Sequence, residues 1–208
     1  MGSGLFLVVE GPDGAGKSSL VRGLAARLRE SGHDVLAVRE PGGTPVAEAA
    51  RAIALEFPER LSPSAELFLM LAARADLVAQ VVRPALDAGR VVLADRYELS
   101  TFAYQVAGAG LPRPEVEVAN RLATGGLVPD LTLVLDLPVA LGQERQAGKV
   151  RDRFERRGVR FYERVHRAYR DAQGPGVVHL DGSQSLEAVQ DAAWREVAAV
   201  ALSPREVS

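Results

Sequence analysis

The 208-residue chain contains no cysteine, which removes disulfides and thiol chemistry and fits a reducing compartment, the cytoplasm. Long apolar runs are missing as well. None approaches the roughly 20 residues that span a bilayer, and no signal-peptide pattern opens the chain, so no membrane association is expected. Lysine is scarce: only Lys17 and Lys149 occur, and arginine supplies the rest of the 25 basic residues. Against 27 acidic residues this leaves a formal charge of −2, which gives no reason to expect a nucleic-acid polymer as partner. No repeat and no low-complexity linker divides the chain, so a single domain over 1–208 is the expectation.

What the chain does have is an alternation of short apolar runs with longer amphipathic stretches, the pattern of βα units on a parallel sheet. Strands are expected at 5–10, 34–39, 91–94, 131–135 and 177–180. Each is rich in Val or Leu and alternates poorly, as strands do when both sheet faces are covered. Helices are expected at about 17–31, 46–56, 64–88, 114–124, 139–147, 159–172 and 185–201. Gly32 and Gly89 stand just after helices, where a left-handed residue is wanted.

After the first apolar run comes Glu10-Gly11-Pro12-Asp13-Gly14-Ala15-Gly16-Lys17-Ser18, which fits G-x-x-x-x-G-K-[ST] between a strand and a helix. Glycines let successive backbone N–H groups curl around a phosphate, and the helix N-terminus adds its positive dipole end. Lys17 would reach the outer phosphates of a nucleoside triphosphate, and the Ser18 hydroxyl would help hold Mg²⁺. The run Val91-Val92-Leu93-Ala94 ends in Asp95, a carboxylate suited either to a turn or, beside such a loop, to the metal side. Arg96 follows and could clamp a phosphate bidentately. Arg39 ends another strand in the same crevice, with a salt bridge to a neighbouring acid as the plain alternative. Arg74 stands in an apolar helical turn, where a charge needs either an ion-pair partner or a ligand.

The segment 148–158 is short, glycine-bounded and basic. Arg145, Lys149, Arg151 and Arg153, with Glu155, read as a phosphate-neutralising lid at about 145–158, or else as a solvated charged face.

Together these residues resemble the thymidylate kinase family over nearly the whole chain. The motifs are the phosphate loop, Arg39-Glu40-Pro41-Gly42-Gly43, Asp95-Arg96-Tyr97 followed by Ser100 and Ala103-Tyr104-Gln105, Pro129-Asp130-Leu131-Thr132, Asp152-Arg153 with Glu155, and Leu180-Asp181-Gly182. The resemblance implies an α/β fold of the P-loop nucleoside monophosphate kinase kind, a five-stranded parallel sheet flanked by helices in three layers. It implies transfer of the ATP γ-phosphoryl group to dTMP, with ATP and Mg²⁺ required, and a symmetric homodimer. Asp13 would align the acceptor at its sugar 3′-hydroxyl, while Gly11 to Ser18 with Lys17 grip ATP. Arg39 and Arg96 would hold the dTMP phosphate, Arg74 the thymine edge, and Tyr104 the deoxyribose, with Thr101 and Gln105 near the base. Ser18 and Asp95 would serve the metal, and Asp181-Gly182-Ser183 would border adenine.

Some family members carry an arginine where this chain has Gly14; here Arg151 and Arg153 become the candidates for transition-state stabilisation. Met70 stands where the family usually has a thymine-stacking phenylalanine, and Val106-Ala107-Gly108-Ala109-Gly110 lacks the arginine usual after Gln105. A kinase for another nucleotide or nucleoside is the alternative, although Arg39 and Arg96 favour an acceptor that already carries a phosphate. A guanine-reading switch would need an Asn-Lys-x-Asp element after strand 131–135; Asp136-Leu137-Pro138 stands there instead.

Overall fold

The computed structural model describes residues 4–57, 59–145 and 157–202. Strand β1 (Leu5–Glu10) leads into helix α1 (Lys17–Glu30), and β2 (Val35–Arg39) into α2 (Pro45–Glu56). Helix α3 (Pro63–Leu77), a π-helical turn at Val78–Val82 and α4 (Arg83–Asp87) run end to end as one long rod before β3 (Val91–Asp95). The short α5 (Glu98–Thr101) continues into a π-helical segment, Phe102–Gly108, followed by α6 (Arg113–Thr124) and β4 (Leu131–Asp136). Helices α7 (Val139–Arg145) and α8 (Val159–Arg170), strand β5 (Val177–Asp181) and α9 (Leu186–Ala201) complete the described chain.

All five strands are parallel, in the order β2-β3-β1-β4-β5, the doubly wound three-layer arrangement expected. Every residue of β1 is buried because helices cover both faces. Leu5, Leu7 and Val9 pack with Leu20, Leu24 and Leu28 of α1 and with Val189, Ala193 and Val197 of α9. Phe6 and Val8, one residue out of phase, meet Leu77, Val78 and Val82 on the opposite face. Burial of each such side chain contributes about 1.5–3 kcal/mol, so this central strand anchors the loop that follows it.

Strands β3, β4 and β5 each run one residue further than their apolar patterns, ending on Asp95, Asp136 and Asp181. Register pairs Arg39 and Val9 with Asp95, and Asp136 with Asp181, so the functional candidates line one carboxyl edge. Thr44, Ser62 and Ser185 cap α2, α3 and α9 through their side chains, two of them ahead of a proline. The π turn in the long rod comes just before Pro84, which has no N–H to continue the α-helical ladder. Helix from 98 to 108 departs from the sequence expectation, which left that stretch unassigned. It is held by α8: a side chain on Gly108 would lie 2.5 Å from the Phe161 ring and 3.1 Å from Val165.

Candidate active site

The phosphate loop leaves β1 at Gly11 and enters α1 through Gly16, whose left-handed backbone (φ 92°) stands at the helix N-cap. No side chain caps that end and no acid occupies the first turn, so its amides remain for an anion. Lys17 is buried and donates from Nζ to the Pro12 carbonyl at 2.8 Å, a bond within the loop. Burial and the Arg96 charge lower its pKa to about 8. The Ser18 hydroxyl donates to Asp95 Oδ2 at 2.6 Å, which brings the end of β3 against the start of α1.

Gly14 is crowded. Its φ of 82° is left-handed, and a Cβ there would sit 2.7 Å from the backbone oxygen of Gly142 in α7. Helix α7 thus rests its own backbone on the loop. Its last residue, Arg145, donates from Nη1 to the Gly182 carbonyl at 2.9 Å, tying α7 to the turn after β5.

Arg96 follows β3 with φ 76°, a rare backbone conformation for a residue with a side chain. Its Nη2 pairs with Asp13 Oδ1. Its Nη1 lies within hydrogen-bonding reach of the Gly11 carbonyl (3.2 Å), Ser100 Oγ (3.0 Å) and the Tyr169 hydroxyl (2.9 Å). Tyr104 donates to the other Asp13 oxygen at 2.6 Å. Burial works to raise the Asp13 carboxyl, but Arg96, Lys17 and the Tyr104 hydrogen bond outweigh it and hold it below its ordinary value. Burial, with Asp13 next in weight, pushes the Tyr104 phenol well up, so it stays a donor.

Arg74 is the most enclosed of the candidate arginines. Its Nε pairs with Glu40 at 2.7 Å, and its remaining nitrogens donate to Thr101 Oγ1, Asn120 Oδ1 and the Tyr97 carbonyl, each at 2.7 Å. Both residues expected beside it are close: Thr101 is one of those acceptors, and Gln105 lines the same cavity. That cavity is also lined by Met70, Arg74, Tyr104, Asp13 and Arg96. Phe68, the nearest phenylalanine to Met70 in sequence, is 63% exposed and takes no part. Arg39 is exposed and grips both oxygens of Glu48 at 2.9 and 3.0 Å, the plain salt-bridge alternative. It lines a second cavity, with Lys17, Ser18, Asp95 and Arg145. Asp13, Glu40, Arg51 and Arg96 line both cavities. Lys149, Arg151, Arg153 and Glu155 lie outside the described residues.

Sequence reasoning missed four contributors. Glu10, fully buried at the end of β1, accepts from the Tyr97 and Ser100 amides and from the Ser100 hydroxyl. A charge closing an otherwise apolar strand was its signal. Tyr169 of α8 reaches Arg96, and Arg51 of α2 stands between the cavities; neither carried a local signal. Glu66 is buried in α3 behind Gln105.

The sheet order, the phosphate loop on a bare helix end and the carboxylate at the tip of the adjacent strand define a P-loop protein of the nucleoside monophosphate kinase kind. The family model for thymidylate kinase matches residues 9–193. A thymidylate kinase of Pseudomonas putida strain F1 is 52% identical over 193 residues, covering 90% of this chain and 92% of that protein. Those of Pseudomonas entomophila and Ectopseudomonas mendocina are 51% and 48% identical, covering 91% and 90% of this chain and 93% and 92% of theirs. The chain belongs to the thymidylate kinase family and is an enzyme of that family.

The contact between Gly14 and α7 yields a stability prediction. Gly14→Ala forces a left-handed alanine, at about 1–2 kcal/mol, onto a backbone oxygen that must move. A loss of about 2 kcal/mol, or roughly 4–8 °C in Tm, is expected in thermal melting. An unchanged Tm would show that α7 yields without cost.

Proposed function

We propose that the protein transfers the γ-phosphoryl group of ATP to the 5′-phosphate of dTMP, giving dTDP and ADP. One observation carries the reading. A phosphate-loop cavity and a second cavity with apolar and polar walls share Asp13 and Arg96, so a donor phosphate and an acceptor nucleotide would meet across those two side chains. The names of the relatives agree. In this reading Gly11, Pro12, Asp13, Gly14, Ala15, Gly16, Lys17 and Ser18 hold ATP. Arg39 and Arg96 take the acceptor phosphate, and Met70, Arg74, Thr101, Tyr104 and Gln105 take the nucleoside. A nucleotide phosphate is already ionised at neutral pH, so no strong base is needed; the lowered Asp13 carboxyl suits an aligning role. Catalysis then rests on positioning and on cations that meet spreading negative charge.

Ser18 Oγ and Asp95 Oδ2, two hard oxygen donors 2.6 Å apart beside the loop, fit Mg²⁺. Among the described residues no group of three His, Cys, Asp or Glu could hold a metal alone, which suits an ion shared with phosphate oxygens. Bound there, Mg²⁺ neutralises phosphate charge. The described residues contain no helix long and apolar enough to cross a membrane, and a cytoplasmic location is part of the proposal.

A coupled assay of ADP release with dTMP, dUMP, dCMP, dGMP and thymidine tests the assignment. Preference for dTMP is expected; phosphorylation of thymidine with dTMP ignored would overturn it. In the same assay Arg151→Ala or Arg153→Ala should lower kcat far more than it alters KM for dTMP, as loss of a cation acting only in the transition state requires. Unchanged turnover in either variant removes that residue from the mechanism.

A homodimer is supported by apolar exposure on two adjoining helices. Phe68 of α3 is 63% exposed, and Val118 and Leu122 of α6 are 71% and 86% exposed. Sedimentation should give the mass of a dimer, and Leu122→Glu should shift it towards monomer; a monomeric parent protein would refute the assembly.

A further inference from the structure

Glu66 is fully buried in α3, and no role in phosphate or nucleoside contact accounts for it. It lies on the same helical face as Met70 and Arg74, at spacings of i+4 and i+8, and those two line the acceptor cavity. One carboxylate oxygen accepts from Gln105 Nε2 at 3.1 Å, and the other is paired with Arg157. Arg157 in turn lies over the Phe161 ring, 4.8 Å from its centre.

A carboxylate in an ion pair only accepts hydrogen bonds, whereas an amide donates at one end and accepts at the other. Glu66 therefore claims the amino end of Gln105, and the Oε1 carbonyl is the end left for the cavity that Gln105 lines. Arg74 lines the same cavity, and four of its N–H groups are taken up by protein acceptors, Thr101 Oγ1 among them. A base seated between these two side chains would thus meet an acceptor at Gln105 and, at most, one N–H at Arg74. Thymine answers that pattern with its N3–H beside the O4 carbonyl. With N3 facing Gln105 and position 4 facing Arg74, cytosine would present the reverse, a bare N3 to the acceptor and an amino group to the donor, and would leave a buried polar group unpaired.

We propose that Glu66 is a specificity-determining positioning residue: by fixing which end of the Gln105 amide faces the cavity, it selects a pyrimidine with N3–H over one with a bare N3. The proposal rests on the reading of this cavity as the acceptor-nucleotide site. Its test is a double-mutant cycle on kcat/KM for dTMP and for dCMP, in the full-length protein. Glu66→Gln frees the amide to turn over. It is expected to lower kcat/KM for dTMP about tenfold, chiefly through KM, and to narrow the ratio of dTMP to dCMP by a similar factor. In a Gln105→Leu background, where there is no amide to orient, adding Glu66→Gln should leave the ratio within about twofold.

An unchanged ratio in Glu66→Gln overturns the proposal. So does an equal narrowing in the Gln105→Leu background, which would mean that Glu66 acts through general packing. If Glu66→Gln alone does not fold, the pair Glu66→Gln with Arg157→Met, which strips both charges from the ion pair, takes its place in the same cycle. A parent protein that does not phosphorylate dTMP overturns the reading of the site together with this assignment, whereas the variant outcomes strike the assignment alone.

Discussion

The ion pair between Arg96 and Asp13 is the point at which the separate parts of the site become one. Arg96 directly follows β3 and Asp13 lies in the loop after β1, so their contact ties the end of one strand to the phosphate loop of another. The arginine reaches it from a left-handed backbone, which costs on the order of 1–3 kcal/mol and persists only where the surroundings over-determine it. They do so here. Arg96 Nη1 meets the Gly11 carbonyl, Ser100 and Tyr169, and Glu10 beneath them receives the amides of Tyr97 and Ser100. Loop, strand end, α5 and α8 are pinned at a single guanidinium. The pair is partly buried, and removing either member leaves the other charge without its partner.

The three arginines expected at the acceptor differ in how much each could give up to a ligand. Arg39 holds Glu48 at an exposed surface, where water screens an ion pair and holds it only weakly. Arg96 is partly buried and already paired with Asp13. Arg74 is nearly sealed, with Glu40, Thr101, Asn120 and Tyr97 as acceptors, so it acts as a fixed wall of the cavity. Residue type alone made these three equivalent; burial separates them into an exposed ion pair, a partly buried one and a sealed one.

Much of the framework was legible in the sequence because it is local. Val- and Leu-rich runs between helical patterns located every strand to within a residue. The strand ends were misjudged at Asp95, Asp136 and Asp181, where ladder pairing carries a polar residue that hydrophobic pattern excludes. Residues 98–108 were left unassigned for a different reason: Gly108 weakens a helix locally, and what compensates is close packing by Phe161 and Val165, more than 50 residues away. The same holds for the site. The phosphate loop is contiguous and could be read directly. The partners of Arg74 and the bond between Glu66 and Gln105 join distant segments, and no spacing along the chain reports them.

Gly14 takes on a second meaning in this setting. As a residue type it says only that the loop supplies no cation from that position. The geometry adds that an arginine there would have to displace the backbone of α7, because the Gly142 oxygen occupies the place of its Cβ. Gly142 itself has little more freedom, since a Cβ on it would lie 3.2 Å from the Asp13 carbonyl oxygen. Two glycines facing each other let α7 lie directly on the loop, next to the residue that pairs with Arg96. Close backbone packing and a cationic side chain therefore compete for one volume, and this chain has taken the packing. The helix that fills that volume ends in Arg145, bonded to Gly182, and is followed in sequence by Lys149, Arg151 and Arg153. The same missing side chain thus leaves the loop without a charge at that position and lets α7 rest its backbone on it.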